Sequence, residues 1–240
     1  MIFDLDGTPA DIGFPDTRLA ESDPNGLLAI GGDLSLERLL KGYAHGVFPW
    51  SSHGQPILWW SPAPRMVLYP DELHVSRSLR RSLRRRGYEM TVNQSFEGVI
   101  RACAAPRDAH PGTWLVPEMI SAYIDLHEGG YAHSIEVWRD DALVGGLYGV
   151  ALGQMFFGES MFSRQTDASK AAMSLLAEIA TEHPFQLIDC QVHTDHLASL
   201  GAREIDRELF QRTVHSATQA TAPTLGRHGR RPAAELRYAA

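Results

Sequence analysis

The chain has 240 residues, of which 44% are hydrophobic and 21% charged, so it is long enough for one large globular domain or two small ones and is poorly described as disordered. Its 22 basic and 29 acidic side chains give a formal net charge of −7, which taken alone argues against a nucleic-acid partner. The two cysteines, Cys103 and Cys190, form no C-x-x-C pair, which excludes a disulfide framework and a cysteine-based zinc site. Because no signal-peptide pattern and no apolar run of membrane-spanning length is present, we expect a cytoplasmic protein.

Turn-forming residues break the N-terminal part of the chain into short pieces, in which we expect little regular structure. The exception is a helix predicted over residues 34–45, where apolar side chains recur at 3.6-residue spacing behind Asp33 and Ser35 as possible N-caps. The Pro-rich step at residues 61–64 marks a boundary, because longer periodic segments follow it. A small domain is therefore predicted over residues 1–64.

Beyond this boundary the periodicities predict alternating helices and strands. Helices are predicted over residues 75–86, 115–127, 167–182 and 196–200, and strands over residues 134–139, 142–152, 154–162 and 185–192. Three strands, a helix and a further strand in this order indicate an α/β layer on a mixed sheet, the α/β (α+β) class. We expect residues 218–240 to be a loosely ordered basic tail, which leaves residues 65–217 as the second domain.

The N-terminal run Ile2-Phe3-Asp4-Leu5-Asp6-Gly7-Thr8 resembles the opening motif of haloacid-dehalogenase-type phosphatases, in which the first Asp is a nucleophile and the second an acid. Those enzymes also need a Lys and an acidic pair from later strands. Gly31-Gly32-Asp33 follows too soon for the intervening fold. A phosphatase using Asp4 and Asp6 is kept as an alternative to a simple Asp-Gly turn.

A second stretch, residues 189–196, carries two Asp, one Cys and two His and so suggests a metal site. On a strand, Asp189, Gln191 and His193 share one face while Cys190 points to the other, so the set does not converge. Its spacing also matches no recognised zinc motif. We expect no metal site there, because polar residues at the end of a strand explain the stretch.

An arginine stripe is predicted on one face of the helix over residues 75–86. Its members lie at offsets 0, 3, 4, 7 and 8 and are Arg77, Arg80, Arg81, Arg84 and Arg85. Like charges stacked in this way repel unless a polyanion meets them, so a phosphate-backbone contact is as good an interpretation as a solvated face. Without the six arginines of residues 77–86, 16 basic side chains remain against 29 acidic ones, and the rest of the chain carries −13.

Two tryptophans in loops and two carboxylates in apolar segments are further candidate functional residues. Trp50 lies in the Pro-rich segment and Trp114 in a later loop, where indoles serve as stacking platforms or pocket walls as readily as they pack between domains. Glu159 lies among aromatic residues and Asp189 within an apolar strand, and buried carboxylates are costly unless paired or hydrogen-bonded. Two of them on neighbouring strands of one sheet favour a functional site over a structural network.

Several motifs, in order, resemble the bacterial leucyl/phenylalanyl-tRNA-protein transferases. They are Gly46-Val47-Phe48-Pro49-Trp50, Ile57-Leu58-Trp59-Trp60-Ser61-Pro62, His133-Ser134-Ile135-Glu136-Val137-Trp138, Gly145-Gly146-Leu147-Tyr148-Gly149-Val150, Gly158-Glu159-Ser160-Met161-Phe162-Ser163 and Asp189-Cys190-Gln191. The match runs from about residue 14 to residue 210. The resemblance implies transfer of Leu or Phe, and less readily Met, from aminoacyl-tRNA to the α-amine of proteins beginning with Arg or Lys, which marks them for degradation by the N-end rule pathway.

The resemblance also implies a C-terminal domain similar to the N-acetyltransferase (GNAT-like) fold and gives roles to individual residues. Asp189 orients Gln191, whose carbonyl accepts a hydrogen bond from the attacking amine, while Glu159 holds the donor's ammonium. Positions that match the donor pocket and the surroundings of the terminal adenosine are Trp50, Trp114, Leu147, Phe156, Met173, Leu176 and Ile188. The arginine stripe becomes a tRNA contact along the acceptor stem, without base readout.

No cofactor is expected. Acetyltransferases receive the pyrophosphate of coenzyme A on small residues at a strand-to-helix turn, whereas residues 163–170 contain no Gly and have Asp167 at the helix start, where it is suited to capping. A neutral amide is a weak base, so proton acceptance by Gln191 and relay by the 2′-hydroxyl of the terminal adenosine both stay open. A non-catalytic tRNA-binding module is a third alternative, and a monomer is expected.

Overall fold

The computed structural model describes residues 2–50, 52, 54–105, 115–221 and 225–239, and within them the chain forms two β-sheets and the helices that cover them. The smaller sheet contains β1 (Phe3–Asp4), β2 (Leu27–Ile30), β3 (Phe48–Pro49) and β4 (Leu58–Trp60), in the order β1-β2-β4-β3. The expectation of little regular structure in this segment is wrong. These strands have two to four residues each, which is too short for a period-2 pattern to reveal.

Helix α1 (Leu36–Ala44) lies within the predicted range. Its N-cap is Ser35, whose side-chain oxygen accepts a hydrogen bond from the backbone N–H of Arg38. Its buried face carries Leu39 and Tyr43, which belong to the same hydrophobic core as residues of the larger sheet. The N-terminal segment therefore shares its core with the rest of the protein.

The larger sheet has eight strands. They are β5 (Arg65–Leu68), β6 (Glu89–Val92), β7 (Ala132–Arg139), β8 (Ala142–Leu152), β9 (Met155–Ser163), β10 (Leu187–Gln191), β11 (Arg203–Ile205) and β12 (His228–Pro232). Their order is β11-β5-β10-β9-β8-β7-β6-β12, and β10 runs parallel to β9 while the other pairs are antiparallel. The predicted mixed α/β class is confirmed.

The described residues contain six further α-helices, and five of them pack on the two faces of this sheet. The six are α2 (Arg77–Arg85), α3 (Phe96–Ala104), α4 (Pro117–Glu128), α5 (Ala168–Glu182), α6 (Asp195–Ser199) and α7 (Arg207–Thr218). One core lies between the sheet and α1, α3, α4, α7 and the smaller sheet, and a second lies between the sheet and α2 and α5. Neighbouring residues of a strand alternate between the cores, as Phe156 and Phe157 of β9 do.

Residues 228–239 form a strand and two 3-10 turns, so the expectation of a loosely ordered tail is wrong for this part of it. Strand β12 pairs with β6, and the small apolar residues that follow are buried in the core under α2 and α5. Glu178 of α5, 2% exposed, accepts contacts of 2.6 Å from Arg231 Nη1 and 2.7 Å from the backbone N–H of Arg237. A polar, Gly-containing strand pairs through its backbone, which composition does not reveal. Across the described ranges, we find no helix with the length and apolarity to cross a membrane.

Candidate functional site

A cavity of about 700 Å³ opens beside the parallel pair β9 and β10, under α5. Its apolar walls include residues of β8, β9, β10 and α5, and among them are five residues predicted from the sequence: Leu147, Phe156, Met173, Leu176 and Ile188. All five are buried. Walls of this kind offer no hydrogen-bond partner to a polar group, so the cavity suits an apolar side chain.

Glu159 of β9 is buried at the polar end of this cavity. Its Oε1 accepts hydrogen bonds from the Tyr43 hydroxyl at 2.9 Å and from Gln191 Nε2 at 2.8 Å, and its Oε2 accepts one from the Tyr123 hydroxyl at 2.7 Å. Burial raises the pKa of Glu159 to about 7, although the hydroxyls of Tyr123 and Tyr43 oppose the rise. The carboxyl group therefore titrates near neutral pH.

Asp189 is fully buried in β10 and forms a bidentate ion pair with Arg65 of β5. Arg65 Nε lies 2.8 Å from Asp189 Oδ1, and Nη2 lies 2.6 Å from Oδ2. The guanidinium lies between the rings of Phe48 and Phe210, 4.7 and 4.6 Å from their centroids. Packing on both sides and a two-point hydrogen bond leave the carboxylate one orientation.

Gln191 depends on that carboxylate for its conformation. Its φ of 63° lies in the left-handed region, and its backbone N–H donates to Asp189 Oδ1 at 2.9 Å. The pairing of β10 with β5 shifts register between these two residues, so strict alternation ends there. Because the side-chain Nε2 donates to Glu159, the amide turns its oxygen away from that carboxylate. The three predicted catalytic residues thus form one hydrogen-bonded chain.

Arg65, Tyr43 and Tyr123 complete this network, and the sequence-based interpretation missed them. Arg65 begins a strand whose next three residues are apolar and buried, and a cation in such a strand was a signal for a buried acidic partner. The two tyrosines lie on the apolar faces of α1 and α4, where the sequence pattern is equally typical of ordinary core residues. Their hydroxyl oxygens lie 2.7 Å apart, and both donate to Glu159.

The tryptophans separate into different roles. Trp50 lies at the mouth of the cavity, 43% exposed, with its ring 6.2 Å from that of Trp60. Trp59 is fully buried against Phe14 and donates its indole N–H to the carbonyl of Gly31, so it is a core residue. Trp114 lies outside the described residues. An exposed indole held at a cavity mouth is suited to stacking on a planar ligand.

A polar part of the cavity lining comes from the start of α5 and from α6. Asp167 occupies the N-cap position of α5 with φ of 66°, but its side chain makes no capping hydrogen bond, so the expected cap is wrong. Its carboxylate instead lies 3.4 Å from Lys170 Nζ. His196 of α6 also lines the rim; burial and the charge of Lys170 lower its pKa, against an opposing effect of Asp167.

Helix α2 presents the predicted stripe to solvent. Leu79 and Leu83 are buried, Arg80 is half-buried, and the exposed members are Arg77, Arg81, Arg84 and Arg85. None of these four exposed guanidiniums forms an ion pair with any carboxylate in the part of the chain that the structure describes. Helices α3 and α7 differ, because Arg101 pairs with Glu97 and Arg212 with Glu208. The charge of these four exposed residues therefore lacks the compensation seen on α3 and α7.

The phosphatase-like motif has a structural explanation. Asp4 Oδ1 accepts a hydrogen bond from the backbone N–H of Asp6 at 2.9 Å, and Asp6 Oδ1 accepts one from that of Gly32 at 2.8 Å. The chain's two lysines lie elsewhere, Lys41 paired with Glu37 and Lys170 at the cavity rim. Both N-terminal carboxylates thus stabilise turns. Nowhere in the described ranges do three or more His, Cys, Asp or Glu group so as to hold a metal ion.

Comparison with known proteins gives a consistent result. The family model described as leucyl/phenylalanyl-tRNA protein transferase matches residues 67–215, and the model of that family's N-terminal domain matches residues 32–63. The curated leucyl/phenylalanyl-tRNA–protein transferase of Pseudomonas fluorescens (strain Pf0-1) is 60% identical over 197 residues, which cover 82% of this chain and 87% of that protein. The protein of that name from Chromobacterium violaceum is 58% identical over 201 residues, which cover 84% of this chain and 86% of that protein. The one from Cellvibrio japonicus is 56% identical over 212 residues, which cover 88% of this chain and 90% of that protein.

Proposed function

The chain belongs to the leucyl/phenylalanyl-tRNA protein transferase family, and from this premise we propose that its cavity transfers Leu or Phe, and less readily Met, to the α-amine of proteins beginning with Arg or Lys. Aminoacyl transfer from tRNA to protein follows from the shared name of relatives aligned over most of the chain. One observation carries the location of the reaction. Gln191 and Glu159 are hydrogen-bonded to each other at the polar end of a cavity whose walls are apolar.

The donor occupies the cavity. Its apolar side chain lies against the five walls, and its ammonium binds Glu159, the one acid at the polar end of the cavity that is not already ion-paired. The terminal adenine stacks on exposed Trp50, with Trp114 assigned to the same region from the family resemblance. This arrangement holds the ester carbonyl near Gln191.

The chemistry is undemanding, because the aminoacyl ester is already activated. The acceptor α-amine, with an ordinary pKa of about 7.7 to 8.0, is appreciably neutral near pH 7. Its nitrogen attacks the ester carbonyl carbon, the carbon–oxygen bond to the ribose breaks, a peptide bond forms, and one proton passes from the amine to the ribose oxygen. The protein holds both substrates in line and excludes water.

Gln191 orients the attacking amine by accepting a hydrogen bond on its side-chain oxygen. Asp189, held by Arg65, fixes the backbone from which Gln191 projects. Because a neutral amide is a weak base, the 2′-hydroxyl of the terminal adenosine is the competing proton carrier. A loss under about tenfold for Gln191→Ala, roughly 1.4 kcal/mol in the activation barrier, would assign the proton to that hydroxyl.

Helix α2 binds the tRNA body. Its arginine stripe of Arg77, Arg80, Arg81, Arg84 and Arg85 meets the phosphates of the acceptor stem, and this accounts for the unbalanced charge on that face. The acidic remainder of the chain discourages indiscriminate binding of nucleic acid and attracts basic N-termini.

The broader assignments follow the same proposal. Residues 65–217 form a GNAT-like aminoacyltransferase domain, supported by three antiparallel strands followed by α5 and then β10 parallel to β9. Residues 1–64 are the small N-terminal domain, which packs into a core shared with the larger one. The protein acts as a monomer in the cytoplasm, where aminoacyl-tRNA and the proteins of the N-end rule pathway are found.

The test uses radiolabelled phenylalanyl-tRNA and peptides that differ only at their first residue. Label is expected in peptides beginning with Arg or Lys, and little in peptides beginning with Gln or Glu. No label in any peptide would reject the proposed function. Equal labelling of all four would reject the proposed acceptor class while leaving the transfer reaction in place.

A further inference from the structure

We propose that Lys170 and His196 bind the phosphate that precedes the terminal adenosine of the donor, and that the cavity rim carries the unpaired 3′ end of the tRNA from this phosphate to α2. This inference rests on the proposed function, because it requires the aminoacyl group to lie in the cavity. Lys170 and His196 have no role in the transfer reaction proposed above, and this inference assigns them to tRNA binding.

Lys170 provides the charge. It is one of two lysines in the chain, and no other Lys or Arg is found among the cavity-lining residues that the structure describes. Its contact with Asp167 is 3.4 Å long, longer than the ~2.7–2.9 Å typical of charge-assisted hydrogen bonds, and the side chain is 32% exposed. A cation held this loosely at a rim can donate hydrogen bonds to a phosphate oxygen.

His196 provides a second, neutral group beside it. Its ring Nε2 has no hydrogen-bond partner among the described residues and is shielded from solvent, so the ring must turn toward the cavity to donate to a phosphate oxygen. Burial and the nearby Lys170 lower its pKa, so the ring is neutral near pH 7 and adds no repulsion to the lysine. One cation and one N–H donor suit a singly charged phosphodiester.

The rim is continuous with the start of α2. The short helix α6 carries His196 and ends beside the segment that precedes α2, where the backbone N–H of His74 donates to the carbonyl of Leu200 at 2.9 Å. Gly201, with φ of 94°, packs so closely there that a Cβ atom would lie 2.5 Å from the carbonyl oxygen of Glu72. The end of α6 and the segment that precedes α2 are therefore in direct contact.

The path between the rim and the arginine stripe is exposed. His74 and Arg77 are exposed and three residues apart at the start of α2, and α2 is about 13 Å long. The carboxylate of Glu72, beside this path, is already paired with Arg203. An acceptor stem lying on α2 thus has its unpaired end directed over His74 toward Lys170.

The experiment compares four phenylalanyl donors of increasing length: the 3′-esters of adenosine, of adenosine 5′-monophosphate and of the trinucleotide CCA, and the complete phenylalanyl-tRNA. The adenosine ester lacks the phosphate in question. Lys170→Met is expected to raise the KM of the three phosphate-bearing donors by about five- to tenfold, and to leave the KM of the adenosine ester and kcat unchanged. Lys170→Arg should restore most of the affinity.

Two further variants sharpen the result. Lys41→Met removes the other lysine, which is paired with Glu37 on α1, and should change no KM. His74→Ala should raise the KM of the CCA ester and of the tRNA, but not that of the monophosphate ester. Comparison of the Lys170 and His74 variants therefore distinguishes binding of the phosphate next to the terminal adenosine from binding of the nucleotides further along the tRNA.

The outcomes are distinguishable. A Lys170→Met variant that alters the adenosine ester as strongly as the longer donors, or alters none of them, overturns this inference while the proposed function stands. If the unaltered protein transfers Phe from none of the four donors, the proposed function falls and this inference falls with it.

Discussion

Arg65 and Asp189 form a fully buried bidentate ion pair, and the same Asp189 oxygen that receives Arg65 Nε also receives the backbone N–H of Gln191. Removing two charges from water is costly, and their attraction offsets this cost only when the geometry is good and the remaining hydrogen bonds are made. The pair therefore serves positioning more than stability. It holds Gln191 in a left-handed conformation from which its side chain reaches Glu159.

Arg65→Lys is expected to lower kcat, because a lysine keeps the charge but cannot make the two-point contact that orients Asp189. We expect about a tenfold loss in steady-state transfer at saturating substrates, with little change in the KM for aminoacyl-tRNA. The effect should vanish in a Gln191→Ala background, because Arg65 acts through Gln191.

A purely structural role for Arg65 gives a different result. The two substitutions would then act independently, and their effects on kcat would multiply. Urea denaturation of Arg65→Lys, beside Arg212→Lys of the exposed pair on α7, measures how much unfolding free energy is lost in each case.

The donor interaction should depend on pH through Glu159. Its pKa of about 7 means that the carboxylate able to bind ammonium is lost as the pH falls below 7, so kcat/KM for aminoacyl-tRNA should rise with pH through that value. Tyr123→Phe removes a hydrogen-bond donor to the carboxylate and should move the midpoint upward. A midpoint unchanged in Tyr123→Phe would contradict this assignment.

Glu159→Gln supplies the control for that profile, because it removes the titration. The raised pKa of Glu159 should also make the free energy of unfolding depend on pH. Between the ordinary pKa of 4.5 and about 7, the folded protein holds a proton on Glu159 that the unfolded chain has released, so this group lowers the free energy of unfolding as pH rises through that window. Glu159→Gln should flatten this fall.

Donor selection should respond to the volume of the cavity. Met173→Ala enlarges the apolar pocket, so kcat/KM for leucyl-tRNA should drop by about tenfold, while the larger phenylalanyl side chain loses less. Competition between the two donors measures the ratio directly. Met90→Ala removes a methionine equally buried in the core but away from the cavity, and a change in ratio there as large as in Met173→Ala would contradict the pocket assignment.

The arginine stripe should act through phosphate charge. Replacing Arg77, Arg81 and Arg84 by Ala is expected to raise the KM for aminoacyl-tRNA and to reduce the slope of log KM against log salt by about 0.9 per lost phosphate contact, with kcat unchanged. Arg101→Ala and Arg212→Ala remove arginines that have acidic partners on their own helices. Equal slopes in the stripe variant and in these controls would exclude the stripe as a tRNA contact.

Long periodic elements could be predicted from the sequence, and short or polar ones could not. Helix α5 was expected over residues 167–182 and β8 over 142–152, because each repeats its apolar pattern often enough to be unambiguous. Helix α7 carried a readable signal, with Phe210, Val214 and Ala217 at helical spacing, and was overlooked. Strand β12 has no apolar pattern, since backbone pairing with β6 and ion pairs of its arginines hold it.

The site shows the same division. Glu159 and Asp189 were recognisable because a carboxylate in an apolar strand needs a reason to be there. Their partners could not be read from the sequence: Tyr43 lies 116 positions from Glu159, and Arg65 lies 124 positions from Asp189. Only the folded sheet brings these pairs together.

The most direct test of the central claim is transfer of labelled Phe from phenylalanyl-tRNA to a peptide beginning with Arg, measured as kcat/KM in the unaltered protein, in Glu159→Gln and in Asp4→Asn. We expect the unaltered protein and Asp4→Asn to transfer label equally, and Glu159→Gln to lose about ten- to a hundredfold, because it lacks the charge that binds the donor's ammonium. Transfer that survives Glu159→Gln unchanged, or that is lost in Asp4→Asn, would contradict the site described above.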